Sequence, residues 1–456
     1  LADVVVGLDV HLKTNSVYVL DAQGTVLRPP QRYPNTLPGT QQLIQDLAEV
    51  LSARDAQHLA VGAEATGWYW WHPFRLIAES PLLRPYTPTL YPFNPRIISA
   101  FRRTFSSPDK TDRLDAQLIA DRLRLGRDLP SPFRYREVYA RLRLWTRQRY
   151  HVVQDLVRAK VRAMATVYLK ASALPILQPF GVALTATSRE ILATYSLQEL
   201  EALPLKDLTD LLDNLGRHGF RDPEATARGV QEVAKTSYPL PEPLRLEVEG
   251  VLRQHLATVR HLERQIRDCE KEIRRILKDL PPHTLESIPG MGPVLAAGII
   301  SELGELAAFG YDDAKVAHYA GLHWPRAQSG DRVREDTPLT RRGNRYLRYY
   351  FCEAANSVRM HDAQYAAYYQ RKYAEVPTHR HQRAVVLTAR KLVRLVVALL
   401  RSGHRVRLSG GEGTVDPAAD DATLAWKGTW TVVYYSGNTV FTLTDPVLEV
   451  AREVAS

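Results

Sequence analysis

Cysteine is nearly absent. Cys269 and Cys352 are the only two in 456 residues, too few for a disulfide framework or a cysteine zinc cluster, and this fits a reducing cytoplasm. No run of about 18 apolar residues goes uninterrupted by charge, so no membrane span is expected. The most apolar late stretch, 385–400, is broken by Arg390, Lys391 and Arg394. Residues 1–10 carry no basic leader, so no signal peptide is expected. Leu1 in place of Met is compatible with a non-standard start codon or with trimming. These absences point to a cytoplasmic protein without a membrane partner. What the chain has in excess is positive charge: 60 Lys and Arg against 50 Asp and Glu, a net +10, with a pI near 9.4. A polyanionic partner is favoured, nucleic acid being the commonest; the bland reading is a merely basic surface. At 45% hydrophobic, a chain of this length accommodates two to four domains and a large core.

The first 130 residues read as an α/β domain. Val4-Val5-Val6-Gly7-Leu8-Asp9 looks like a buried strand ending in a carboxylate. Residues 16–21 and 25–28 follow as second and third strands, and 41–53 as a helix with Leu43 and Leu47 on one face. Residues 58–64 form a further strand ending in Glu64, and 90–94 a fifth, before a basic helix over 96–104. The order is ribonuclease-H-like, a mixed five-stranded sheet with helices. It places Asp9 and Glu64 on neighbouring strands, and Asp112 and Asp115, three apart, share a helix face. Each acid alone is best read as a strand end, a helix cap or solvated surface. Four in this order suit magnesium, which takes carboxylate and phosphate oxygens, and paired ions of this kind support phosphoryl transfer.

Beyond Pro130-Ser131-Pro132 a basic helix is expected over 136–165, with Arg141, Arg143, Arg147, Arg149, Arg158, Lys160 and Arg162 and with Trp145 and Tyr150 interleaved. Such a helix either tracks phosphates and stacks bases or is a charged helix with its aromatics in the core. Residues 166–240 read as a small helical insert. Val248, Leu252, His255, Val259, Leu262, Ile266, Cys269, Ile273 and Ile276 then alternate in steps of four and three, a heptad seam that argues for a coiled coil. Its partner is either the 136–165 helix or another protomer. Ile288-Pro289-Gly290-Met291-Gly292 precedes a helix over 294–303 and reads either as a phosphate-binding turn or as a tight interhelical one. Gly330 after Ser329 points to irregular, accessible backbone, and nothing local marks Ser329 as more than a loop serine. A helix is expected over 380–402, with Val386, Leu387, Leu392, Val393, Val396 and Leu400 packed. After a glycine-rich linker at 409–413, residues 429–435 and 439–444 read as a β-hairpin.

Two blocks of motifs are recognisable. Gly7-Leu8-Asp9-Val10-His11, Glu64-Ala65-Thr66-Gly67, Asn94-Pro95 and Lys110-Thr111-Asp112-Arg113-Leu114-Asp115-Ala116 resemble the RuvC-like DEDD domain of IS110-family transposases. Ser287-Ile288-Pro289-Gly290-Met291-Gly292, Tyr319-Ala320-Gly321-Leu322, Ser329-Gly330, Arg341-Arg342-Gly343-Asn344 and Leu347-Arg348 resemble that family's C-terminal transposase domain. The resemblance covers roughly residues 4–405. It implies a RuvC-like catalytic domain (1–130), a helical coiled-coil region (131–283), a mostly α C-terminal transposase domain (284–405) and a tail (406–456) outside the likeness.

The resemblance further implies an RNA-guided DNA recombinase with a composite site. In it Asp9, Glu64, Asp112 and Asp115 bind Mg2+, and Ser329 attacks the scissile phosphate through a phosphoserine intermediate. Arg102, Arg103, Lys110, Arg326, Arg341, Arg342, Asn344 and Arg348 are then expected to contact nucleic acid. The implied partners are donor and target DNA, an element-encoded bridge RNA and further copies of the chain in a dimer or tetramer. Asp331 and Leu339-Thr340 depart from the family pattern without removing a catalytic group. Three alternatives stay open: a Piv-type site-specific DNA invertase, a RuvC-like nuclease in which water attacks, and a nucleic-acid-binding scaffold with an inactive site.

Overall fold

β1 (Val4–Val10) is buried along its whole length, as a continuous apolar run requires of a central strand. It pairs antiparallel with β2 (Thr14–Asp21), and β2 pairs antiparallel with β3 (Val26–Pro34). α1 (Leu37–Ala53) follows, its first turn capped by Thr36, which accepts from the Gly39 N–H. β4 (Leu59–Glu64) then lies parallel to β1 on its other side. After α2 (Trp71–Glu79), β5 (Thr89–Phe93) lies parallel to β4. The sheet order β3-β2-β1-β4-β5 is the expected ribonuclease-H-like arrangement. The expected third strand, 25–28, is too short. β3 runs through Pro29 and Pro30 because it is an edge strand and the two prolines fall, unpaired, at a register shift against β2.

The computed structural model describes residues 2–104, 111–127, 129–130, 132–181, 184–281, 283–324, 327–329, 332–334, 339–340, 343–403, 405–407, 423–427, 431–436 and 439–444. The chain divides into two compact units: residues 1–140 with 305–316, and 141–304 with 317–456. The first holds the five-stranded sheet, α3 (Pro95–Arg102) and α4 (Asp112–Arg124). α4 lies against β1 at Gly7, where an added Cβ would stand 2.0 Å from the Ala116 carbonyl oxygen and 2.6 Å from the Ala120 nitrogen. Only glycine lets the helix backbone come this close to the strand. Gly7→Ala is expected to cost about 1–3 kcal/mol by overpacking and to move α4 off β1. A lowered thermal midpoint for the variant checks this.

The second unit is built on two long helices, α5 (Glu137–Lys170), which enters it at Arg141, and α11 (Glu242–Leu277). They run antiparallel: Arg149 pairs with Glu270, Lys160 with Glu263, and Lys170 with Glu249. α5 of the same chain therefore runs beside α11, and Leu252 and Leu256 share a core with Ala163 and Val167. Val248, Leu252, Val259, Cys269, Ile273 and Ile276 are buried, whereas His255, Leu262 and Ile266 are only half-buried and Leu256 takes an inner place. Between the two lie α6 (Leu174–Leu177), α7 (Ala186–Thr194), α8 (Leu197–Ala202), α9 (Leu205–Leu215) and α10 (Pro223–Thr236). These helices have a small core of their own around Leu208, Leu212 and Val230.

α12 (Pro293–Leu303) follows the glycine turn. Gly290 has φ +85, and a Cβ there would stand 2.9 Å from the Ser357 carbonyl oxygen; a turn packed this closely is what the structure shows. α13 (Asp313–Ala320), β6 (Ala327–Ser329), β7 (Arg332–Arg334), α14 (Arg345–His361), α15 (Ala363–Ala374) and α16 (Arg380–Ser402) complete the helical part. On α16 the buried face is Ala384, Thr388, Ala389, Leu392, Val393, Val396, Val397 and Leu399. Leu392, Val393 and Val396 of the expected face are buried, whereas Val386, Leu387 and Leu400 are half-buried and Ala384, Thr388 and Ala389 take the inner places of the first turns. The expected hairpin is present as β10 (Thr431–Ser436) and β11 (Thr439–Thr444), part of a four-stranded sheet with β8 (Arg405–Arg407) and β9 (Thr423–Lys427). Among the described residues no helix is long and apolar enough to cross a membrane.

Candidate active site

Asp9 is the penultimate residue of β1 and Glu64 the last of β4. These strands are parallel and register Leu8 against Ala63, so the two acids are the next step along neighbouring strands. Asp112 and Asp115 lie in the first turn of α4, which Thr111 caps by accepting from the Leu114 N–H. That end of a helix carries positive partial charge and favours carboxylates. Close contact of α4 with β1 at Gly7 brings the helix pair to the strand pair.

Asp9 is 7% exposed. Burial pushes its carboxyl up to about 6; the His11 imidazole opposes this, while Asp115 and Asp112 add to it as like charges. His11 Nε2 stands 3.0 Å from Asp9 Oδ2 and 3.5 Å from Asp112 Oδ1. Arg32 reaches across from β3 and donates to Asp112 Oδ2 at 2.9 Å. Arg102, at the end of α3, donates to Asp115. Glu64 accepts from the Thr66 hydroxyl at 3.0 Å. One ligand atom each from Asp9, His11 and Asp112 lies within 4.8 Å of the others. Converging oxygens around a buried carboxylate that resists ionisation fit a divalent cation, whose charge would relieve the repulsion.

The structure thus gathers Asp9, Asp112 and Asp115 and places Glu64 beside Asp9. Arg102 is held by Asp115, and Arg103 is exposed at the end of α3. Ser329 ends β6, in register with Arg332 of β7. Lys110, Arg326, Arg341 and Arg342 lie outside the described residues. Asn344 caps α14 by accepting from the Tyr346 and Leu347 N–H groups, and its amide donates to Glu302 at 2.7 Å. Arg348 donates to the Thr340 carbonyl at 3.4 Å. His11 and Arg32 escaped the sequence reading. His11 stood within a quoted motif, two residues past Asp9, a spacing that returns to one face of an extended chain. Arg32 has no local signal, being 80 positions from Asp112.

In the second unit Glu302, on α12, is 2% exposed. It accepts two hydrogen bonds from Arg147, at 2.6 and 2.9 Å, and one from Asn344. Burial alone would raise its carboxyl, but Arg147 outweighs that and holds it below the usual range. Other basic residues of α5 are likewise engaged within the unit. Arg141 pairs with Asp279, Arg143 donates to the Ser301 carbonyl, and Arg149 pairs with Glu270. The first half of α5 thus uses its arginines in packing, whereas Arg158 and Arg162 in the second half are exposed.

Two family models match the sequence. One, a DEDD type of IS110 described as a transposase, covers residues 6–169. The other, described as transposase of the IS116/IS110/IS902 family, covers residues 282–370. Among curated proteins, an insertion element IS116 protein of 44.8 kDa from Streptomyces clavuligerus is 31% identical over 313 residues, 67% of this chain and 75% of the relative. An insertion element IS900 protein of 42 kDa from Mycobacterium paratuberculosis is 27% identical over 310 residues, 65% of this chain and 73% of the relative.

Proposed function

Since the chain belongs to the IS116/IS110/IS902 family of transposases, we propose that this DNA transposase exchanges strands by phosphoryl transfer, with Asp9, Glu64, Asp112 and Asp115 holding Mg2+ and Ser329 as nucleophile. The observation that carries this reading is the gathering of carboxylates around Asp9, with burial and like charge opposing its ionisation. Bound Mg2+ would supply charge stabilisation for the phosphoryl group in flight. Asp9 and Glu64, on rigid strand ends, fix the position of the site. Arg32 and Arg102 balance the charge of Asp112 and Asp115.

In the proposed chemistry the Ser329 hydroxyl loses its proton and its oxygen bonds to the scissile phosphorus. The 3′ oxygen leaves and takes up a proton, so one strand ends in a free hydroxyl and the other is joined to serine. A hydroxyl of a second strand then displaces the serine, which regains its proton. Each bond broken is matched by one formed, and no ATP is required. The family resemblance supports the rest of the reading: donor and target DNA as substrates, a bridge RNA from the element that pairs with both, and a dimer or tetramer as the working assembly.

The test is to trap the intermediate. Protein, Mg2+, element-derived RNA and labelled donor and target DNA are incubated, and denaturing gels are probed for protein–DNA species. The wild type is expected to give a covalent adduct that Ser329→Ala lacks. Cut DNA without adduct, equally in both proteins, would mean that water attacks and that the site is a nuclease.

A further inference from the structure

We propose that His11 is a metal ligand, its Nε2 joining Asp9 and Asp112 in a mixed nitrogen–oxygen centre that favours Mn2+ over Mg2+ more strongly than carboxylates alone would. The proposal rests on the reading of the carboxylates as a cation site. It adds a donor that the four acids do not include and changes the expected metal preference.

The geometry carries it. Ligand atoms about 2.1 Å from a common cation stand roughly 3.0 Å apart at adjacent octahedral positions and roughly 3.4 Å apart in a tetrahedron. His11 Nε2 is 3.0 Å from Asp9 Oδ2 and 3.5 Å from Asp112 Oδ1. Both separations are already ligand–ligand edges, and the third stays within 4.8 Å. Arg32 engages Asp112 through Oδ2, which fixes the carboxylate and leaves Oδ1 turned to His11. The His11 side chain is 51% exposed while that of Asp9 is 10% exposed, so the imidazole stands at the mouth of the site with the buried acid behind it. Imidazole nitrogen suits first-row transition metals, whereas Mg2+ is bound by oxygen. A His11 imidazolium that merely bridges two carboxylates would produce the same distances, and the experiment must separate the two.

Full-length protein is loaded with Mn2+ as the probe, and the bound ion is examined by pulsed electron paramagnetic resonance. The wild type is expected to show nitrogen hyperfine coupling from a directly bound imidazole. That coupling should change on labelling histidine with 15N and disappear in His11→Ala. Mn2+ affinity, followed by calorimetry, should fall roughly tenfold or more in His11→Ala, with a smaller loss for Mg2+. If Mn2+ binds in an Asp9-dependent way but the wild-type signal lacks nitrogen coupling, or His11→Ala retains it, His11 is only a charge partner and the carboxylate site stands. If Mn2+ binding is absent or indifferent to Asp9→Asn, the cation reading itself falls and this proposal with it.

Discussion

Asp9→Asn is expected to lower strand cleavage roughly 10³-fold or more, the scale of several kcal/mol of lost metal-assisted charge stabilisation. The same substitution is expected to stabilise the metal-free protein at neutral pH. The folded-state carboxyl lies near 6, above its ordinary 3.8, so the folded chain holds this proton more tightly than the unfolded chain does. Stability therefore falls as pH rises from about 4 to about 6 and stays lower above that. A shift of this size corresponds to on the order of 2–3 kcal/mol. Asparagine removes the ionisation, so its gain should be full above about pH 6 and fade below about 4. Thermal unfolding in chelator at pH 5 and 7.5 checks this, and an equal gain at both values would rule out ionisation of Asp9 as its source. A larger gain at pH 7.5 than at pH 5 would mark the site as a place where stability is given up for a charge that binding later uses.

Glu302→Ala is expected to destabilise the second unit by about 3 kcal/mol, the low end for a broken buried pair because the Arg147 side chain left without its partner is 30% exposed. Arg147 would lose both of its hydrogen bonds to the carboxylate, and the Asn344 amide would lose an acceptor. The damage would spread to the start of α14, because Asn344 is its cap. Replacing the pair together, Arg147→Met with Glu302→Leu, should cost clearly less than either single change, since no charge is then stranded. Chemical denaturation of the three variants measures the ordering. A single change as mild as the double one would show that the pair carries no structural load. The depressed Glu302 carboxyl also has a pH consequence. Its contribution is present above the ordinary value of 4.5 and is lost as pH falls through the lower folded value. The second unit should lose stability in acid, and Glu302→Leu should be less sensitive there.

Much of the first unit was legible because its signals are local. The apolar run from Val4 to Leu8 ahead of Asp9 reads as a buried strand ending in a carboxylate, and the spacing of Asp112 and Asp115 reads as one helix face. The period-2 and period-3.6 patterns state which residues face inward without reference to the rest of the chain. The third strand reads short because proline is normally a breaker, and an unpaired register shift on an edge strand makes it tolerable. The α5 arginines were ambiguous because a charged helix looks the same whether its charges meet phosphate or glutamate. On α11, the seam was visible but not its partner.

By itself the sequence determined the strand order of the first unit, the placing of Asp9 and Glu64 on neighbouring strands and of Asp112 and Asp115 on one helix face, and the family of motifs. These follow from short-range periodicity, capping and spacing, which act within a few residues of the chain. Only the tertiary structure decided that His11 and Arg32 join the acids, that Arg147 and Asn344 converge on the buried Glu302, and that α5 runs beside α11. Arg32 lies 80 positions from Asp112, and Arg147 lies 155 from Glu302. Pairings over such distances come from the packing of whole elements, where burial makes an unpaired charge too costly to leave. No pattern within a single segment carries that information.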